Sequence, residues 1–227
     1  MRRFSLALSL ALLALAAADA AAQGMTRVRR LHGSDRRGQY DLRWIALTER
    51  FANAAVRARV NADLEREARE HLCQPGDAPV GQLSSEFEMA VTYVDSRLLG
   101  VRTGEFVACG GAHPSFGPGA LLYDLRTGRR IDLEGEMTAP RAFHRFVAQR
   151  AADAAPGGAG ECTELYTADQ LSGDGFIYYL EARVVRAVPD YPQVVLACGF
   201  DTEIPHADII RFLKPGSPLR WLAQRRR

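Results

Sequence analysis

The chain has 227 residues, 47% hydrophobic and 25% charged, a length and balance that fit one ordinary domain with its own core and exclude a disordered chain. The formal net charge is only +2. Lys214 is the sole lysine and the arginines are scattered rather than gathered into a stripe, which argues against a nucleic-acid binder.

At the N-terminus Arg2 and Arg3 precede an apolar run over residues 4–18, and Ala20, Ala21 and Ala22 place small side chains before Gln23. This is the pattern of a cleaved signal peptide, residues 1–22, because the run is shorter than the roughly 20 apolar residues that a membrane helix takes. The expected product is periplasmic or secreted, with no transmembrane anchor after cleavage. No lipid anchor is expected either, since the first cysteine is Cys73. Export makes Cys73, Cys109, Cys162 and Cys198 candidates for two disulfides. Four cysteines allow three pairings, and spacing alone does not choose among them.

Residues 23–35 are arginine-rich with weak alternation and read as a loosely held leader or edge strand. Tyr40, Leu42 and Trp44 alternate with Asp41 and Arg43, the pattern of a half-buried strand. Thr48 is the expected N-cap of a helix reaching about Leu72, because Phe51, Val56, Val60, Leu64, Ala68 and Leu72 form one apolar stripe. Residues 82–110 turn to period two and predict three short strands, joined around Asp95-Ser96 and around Thr103-Gly104. A β-hairpin follows over residues 120–133, its turn at Arg126-Thr127-Gly128-Arg129. Thr138 as N-cap and Pro140 just inside open a second helix, whose Phe143, Phe146, Val147, Ala151 and Ala154 line one face. Strands are predicted at 175–180, 182–188 and 194–198, the last extended by 201–204, with a short closing helix at 206–212. Strands and helices come in blocks, so the expected class is α+β, a mainly antiparallel sheet with two principal helices packed on it. The expected organisation is an N-terminal strand and helix (23–82), a main domain (83–213) and a basic tail (214–227).

A search for chemistry returns little. There is no G-x-S-x-G elbow, no H-E-x-x-H and no C-x-x-C pair, and His32, His71, His113, His144 and His206 are dispersed. No metal and no cofactor are expected. Glu86, Glu88, Glu105, Asp124 and Glu203 lie on predicted strands, where carboxylates ordinarily face solvent. The most informative segment is Cys109-Gly110-Gly111-Ala112-His113-Pro114. Adjacent glycines permit a tight bend, proline fixes the exit, and the histidine either staples a bulged turn or meets a ligand.

This glycine-histidine-proline signature, the Asp124-Leu125-Arg126-Thr127-Gly128 hairpin and the closing Thr202-Glu203-Ile204-Pro205-His206-Ala207-Asp208 together resemble the RsiV-type C-terminal domain over residues 83–213. That family supplies the extracellular part of a lysozyme-sensing anti-sigma factor and accompanies PdaC-type peptidoglycan deacetylases outside their catalytic domain. The helix around Val60-Asn61-Ala62-Asp63-Leu64 resembles the companion domain that precedes it there. The resemblance implies a non-catalytic α+β envelope module with a core continuous across both parts. It also implies disulfides joining Cys73 to Cys109 and Cys162 to Cys198. Anti-sigma signalling and deacetylation are not carried over, since neither a sigma-binding region nor a deacetylase domain is expected in this chain. No catalytic residue is assigned. The expected function is binding of a cell-envelope ligand, a lysozyme-like protein or peptidoglycan, with Gly110, Gly111, His113, Pro114, Arg129 and Arg130 as candidate contacts. The alternatives are an enzyme acting on cell-wall glycan or peptide, which a cleft holding two carboxylates would favour, and a structural envelope protein, which a smooth surface would favour.

Overall fold

The computed structural model describes residues 27–34, 40–51, 53–73, 83–109, 114–156, 160–173 and 175–226. The expected signal peptide and residues 110–113 lie outside them. Six strands make one sheet in sequence order: β1 (Val28–Ser34), β2 (Tyr40–Leu47), β3 (Ser84–Val94), β4 (Leu98–Ala108), β5 (Ser115–Asp124) and β6 (Arg129–Arg130). All neighbours are antiparallel except β2 and β3. A parallel pair needs a crossover connection, and helix α1 (Ala54–Glu70) supplies it.

The stripe expected for α1 is the one it buries, with Val56, Val60, Leu64 and Ala68 turned inward. They meet Leu42, Phe87, Met89, Leu99, Val101, Leu121 and Tyr123 from four strands. This core draws on residues from both sides of position 82, so the N-terminal strand and helix complete the same sheet as the main domain. The helix begins later than expected. Asn53, not Thr48, is the N-cap, its side-chain oxygen accepting from the Val56 N–H at 3.1 Å, while the Thr48 N–H is spent on the carbonyl of Arg27 at 2.7 Å. An Asn cap stabilises a helix start by about 1 kcal/mol relative to alanine. At the other end His71 stacks on Phe87, ring centroids 4.5 Å apart, and pairs with Glu105.

Residues 82–110 form two long strands rather than three short ones. Register runs unbroken through Thr103 and Gly104, with Gly104 opposite Glu88 on one side and Pro118 on the other. The glycine expected to turn the chain instead lies within a strand. The irregularity falls between Val91 and Tyr93 on β3. Such a shift turns following side chains to the opposite face, and Tyr93 accordingly leaves the α1 core for a second one.

The second layer contains a three-stranded antiparallel sheet, β7 (Gly175–Leu180), β8 (Val184–Asp190) and β9 (Thr202–Pro205). It also holds α2 (Pro140–Ala154), α3 (Ala168–Gly173) and α4 (His206–Ile210). Its core centres on Phe143, Val147, Ala151, Leu171, Ile204 and Ile209 and reaches the large sheet through Tyr93, Leu98 and Leu122. Gly100 makes that approach close, since a Cβ there would stand 3.1 Å from both the Cβ and the carbonyl oxygen of Leu180. Thr138 does not cap α2: Ala139 holds the N-cap position, and both the amide and the hydroxyl of Thr138 donate to the Phe212 carbonyl. Residues 194–198, expected as a strand, lie in a 3-10 helix over Gln193–Cys198 that follows Pro192, and Cys198 in it is bonded to Cys162. The other disulfide joins Cys73, just past α1, to Cys109, just past β4. These are the partners that the resemblance implies. The segment read as a basic tail includes Leu219 and Leu222, which are 0% and 4% exposed in the second core. Among the described residues no helix is long and apolar enough to cross a membrane.

Candidate functional site

The second layer covers only one end of the large sheet, and the uncovered end forms the floor of an open groove of about 570 Å³. Strand alternation decides what that floor carries. Odd-numbered residues of β3 up to the irregularity, Phe87 and Met89, point to α1, so Glu86 and Glu88 point away from it. Across β2, β3, β4 and β5 the floor reads, in one row, Asp41, Glu86, Phe106 and Phe116, and in the next, Arg43, Glu88, Gly104 and Pro118. A third row places Arg102 between Ala90 and Ala120. Tyr179 of β7, Val188 and Pro189 of β8, and Leu196, Phe200 and Asp201 after it make the wall.

Two features set this surface apart from an ordinary solvated sheet face. The first is an aromatic pair where alternation calls for polar groups: Phe106 and Phe116 face each other across β4 and β5 and are 36% and 43% exposed, the exposed large apolar side chains among the described residues. The second is the distribution of charge. Arg43 donates to Asp41 at 2.7 Å and holds its carboxyl below the usual range. Arg186 gathers Glu181, Asp201 and Glu203, which raises its own pKa, Glu181 contributing most. Glu105 is paired with His71. Glu86, Glu88 and Arg102, by contrast, have no ion-pair partner within 4.0 Å among the described residues, and the two glutamates feel Arg43 only at longer range.

Arg102 is exposed and leans over the Tyr179 ring, its guanidinium carbon 5.5 Å from the ring centre. Tyr179 is 3% exposed, and among the described residues its buried hydroxyl has no acceptor, the neighbouring Arg102 guanidinium being able only to donate. Burial raises the phenol pKa while the Arg102 cation opposes the rise. Gly104 leaves the floor between these groups bare: nothing lies within 4 Å of where its Cβ would stand. Among the described residues no group of three or more His, Cys, Asp or Glu side chains is placed to hold a metal ion.

The residues singled out from sequence fall elsewhere or out of view. Gly110, Gly111 and His113 lie outside the described residues. Cys109 and Pro114, which flank them, stand at the end of the β4–β5 hairpin next to Phe106 and Phe116. Arg129 and Arg130 do not line the groove. Arg129 donates to the buried Glu136 at 2.6 Å, and Arg130 to Glu67 of α1 at 2.7 Å, so both tie the β5–β6 turn to its surroundings. The aspartate of that hairpin motif is buried and organises the turn. Asp124 accepts from the Arg126 N–H and the Thr127 hydroxyl, and Gly128 closes the bend at φ +74° against Arg59 and Val56 of α1. Sequence reasoning noticed Glu86 and Glu88 but not their setting. The legible signal was Phe106, an aromatic on a strand position whose neighbours of the same parity, Arg102 and Gly104, are not core residues.

No family model matches the chain, and no curated protein matches it in sequence. Among solved structures it is similar to a DUF3298 family protein from Pseudomonas aeruginosa, with a TM-score of 0.50 and 16% identity over 85% of this chain and 95% of the other. It is likewise similar to a member of the same family from Bacteroides fragilis, with a TM-score of 0.51 and 13% identity over 87% and 97%. Identities this low speak for the fold alone. In fold, this chain is similar to proteins of the DUF3298 family over nearly their whole length.

Proposed function

We propose that the protein is a non-catalytic binding module of the cell envelope, periplasmic or secreted, whose ligand seats in the groove between the two sheets. The observation that carries this reading is the pair Phe106 and Phe116, exposed side by side next to Glu86 and Glu88, which have no ion-pair partner among the described residues. Exposed aromatics beside carboxylates suit a ligand that offers an apolar stem and a cationic head. Two disulfides fit an oxidising compartment, and the resemblance to the RsiV-type C-terminal domain points to a lysozyme-like protein or peptidoglycan as the source of that ligand. The same two carboxylates keep a second reading alive, an enzyme acting on cell-wall glycan or peptide.

The test is binding of the oxidised protein to purified peptidoglycan and to immobilised lysozyme, with a Phe106→Ser/Phe116→Ser variant alongside. The expected result is saturable binding to one of the two, weakened about tenfold or more in the variant, with thermal unfolding lowered only by the loss of the partly exposed cross-strand pair, about 1 kcal/mol. Binding to neither would remove peptidoglycan and lysozyme as the source of the ligand, and equal binding by the variant would remove the aromatic pair from the binding surface. Release of soluble fragments from peptidoglycan, lost in Glu86→Gln or Glu88→Gln, would establish the enzyme instead.

A further inference from the structure

We infer that the groove recognises a zwitterion: the end of a peptide whose last residue is a dibasic amino acid with a free carboxylate. This rests on the reading of the groove as the ligand site and names the chemistry it takes. The floor has two poles. At one, Glu86 and Glu88 project from β3 beside Phe106, with no ion-pair partner among the described residues. At the other, Arg102 projects from β4 against the wall, likewise without a carboxylate, and Tyr179 beneath it keeps a buried hydroxyl with no acceptor among the described residues.

These poles do not neutralise each other. Glu88 and Arg102 are diagonal neighbours on adjacent strands, their β-carbons somewhat less than about 7–8 Å apart, and Arg102 turns toward the Tyr179 ring. A ligand bridging the poles must therefore carry both signs of charge, on a stem long enough to pass from β3 to the Arg102 side of β4. An extended lysine does so, with its ammonium about 7 Å from its own carboxylate by standard bond geometry. Its carboxylate would accept from the Arg102 guanidinium and give the Tyr179 hydroxyl an acceptor. Its methylenes would cross the bare floor at Gly104, where nothing stands within 4 Å of a β-carbon. Its ammonium would meet Glu86 and Glu88 at the edge of the aromatic pair. A basic protein surface offers the cation but not a carboxylate at fixed distance, so the Arg102 pole separates the two kinds of occupant.

The experiment is calorimetric titration of the oxidised full chain with the peptide Gly-Gly-Lys as free acid, its C-terminal amide, and Gly-Gly-norleucine as free acid. The variants are Arg102→Met, Glu86→Gln/Glu88→Gln and Gly104→Val. The expected order is free acid tightest, with the amide and the norleucine peptide each about tenfold weaker or more. Arg102→Met should abolish the preference for acid over amide only, the glutamate double variant the preference for lysine over norleucine only, and Gly104→Val binding altogether. A Cβ at Gly104 meets nothing within 4 Å and valine suits a strand, so loss of binding with an unchanged urea midpoint reports the groove and not the fold. If peptidoglycan or lysozyme binds through the aromatic pair while the three peptides bind alike or not at all, the zwitterion site is overturned and the broader reading stands. If the amide binds as well as the acid, only the cation pole exists and the inference fails. If the peptides follow the expected order but neither peptidoglycan nor lysozyme binds, the site stands and its assignment to those two sources falls.

Discussion

Replacing Asp124 probes the turn that joins the large sheet to α1. The carboxylate is 3% exposed and accepts from the Arg126 N–H at 3.0 Å and the Thr127 hydroxyl at 3.2 Å, while its pair with the Arg126 side chain, 53% exposed on the arginine side, adds little. A hydrogen bond to a charged acceptor contributes about 1.5–3 kcal/mol, and alanine forfeits both such bonds, though water re-solvates part of an exposed turn. The expected loss for Asp124→Ala is about 2–3 kcal/mol. Asp124→Asn keeps an oxygen facing the Arg126 N–H and should lose about 1 kcal/mol. Burial pushes the Asp124 carboxyl up, but the Arg126 amide and guanidinium and the Thr127 hydroxyl outweigh it, and the net shift is downward. A folded-state pKa below the unfolded value of about 3.9 means that the charge stabilises the fold fully above that value and ceases to do so as pH falls through the lower, folded one. The gap between wild type and Asp124→Asn should therefore be constant near neutral pH and close in acid. Urea unfolding followed by tryptophan fluorescence at several pH values measures it. A loss below about 0.5 kcal/mol for alanine, an asparagine variant as weak as alanine, or a gap that widens in acid would refute the reasoning.

Two further perturbations address the supports of each layer. Each disulfide closes a sequence separation of 36, for which the chain-entropy model assigns about 3–4 kcal/mol. Cys73→Ser/Cys109→Ser and Cys162→Ser/Cys198→Ser should each lower the urea midpoint accordingly, and peptide mapping that joins Cys73 to Cys162 or Cys198 would contradict the structure outright. Leu219→Ala removes a side chain that is 0% exposed and should cost about 2–4 kcal/mol in thermal or urea unfolding; a loss under about 1 kcal/mol would show that the C-terminal segment is not docked in solution.

Much of the fold was legible because it follows from local periodicity. The stripe from Val56 to Ala68 shows a helix face whatever it packs against, and the alternation Phe87, Met89, Val91 shows a half-buried strand. The Asp124-to-Gly128 turn was likewise visible, since a positive φ at Gly128 and an aspartate accepting backbone N–H groups are properties of a few adjacent residues. The errors fell where a local signal has a competitor elsewhere in the chain. Thr48 is a plausible cap in isolation, but the helix starts at Ala54, where Asn53, the stronger capping type, accepts from the Val56 N–H. Residues 194–198 have the composition of a strand, yet they follow Pro192 and end in a cysteine bonded 36 residues away.

The groove belongs to that second kind of knowledge. That Arg102, Gly104 and Phe106 share a strand face was hidden by the turn expected at Thr103-Gly104, whereas sequence by itself determined that Glu86 shares one with Glu88. Period two makes that assignment without reference to anything else. Only the tertiary structure decided that the register brings Phe106 opposite Phe116, that the irregularity after Val91 turns Tyr93 into the second core while the glutamates stay uncovered, and that Tyr179 arrives beside Arg102 from 77 residues along the chain. Those outcomes depend on how one layer seats on another, which is settled by packing between residues distant in the chain.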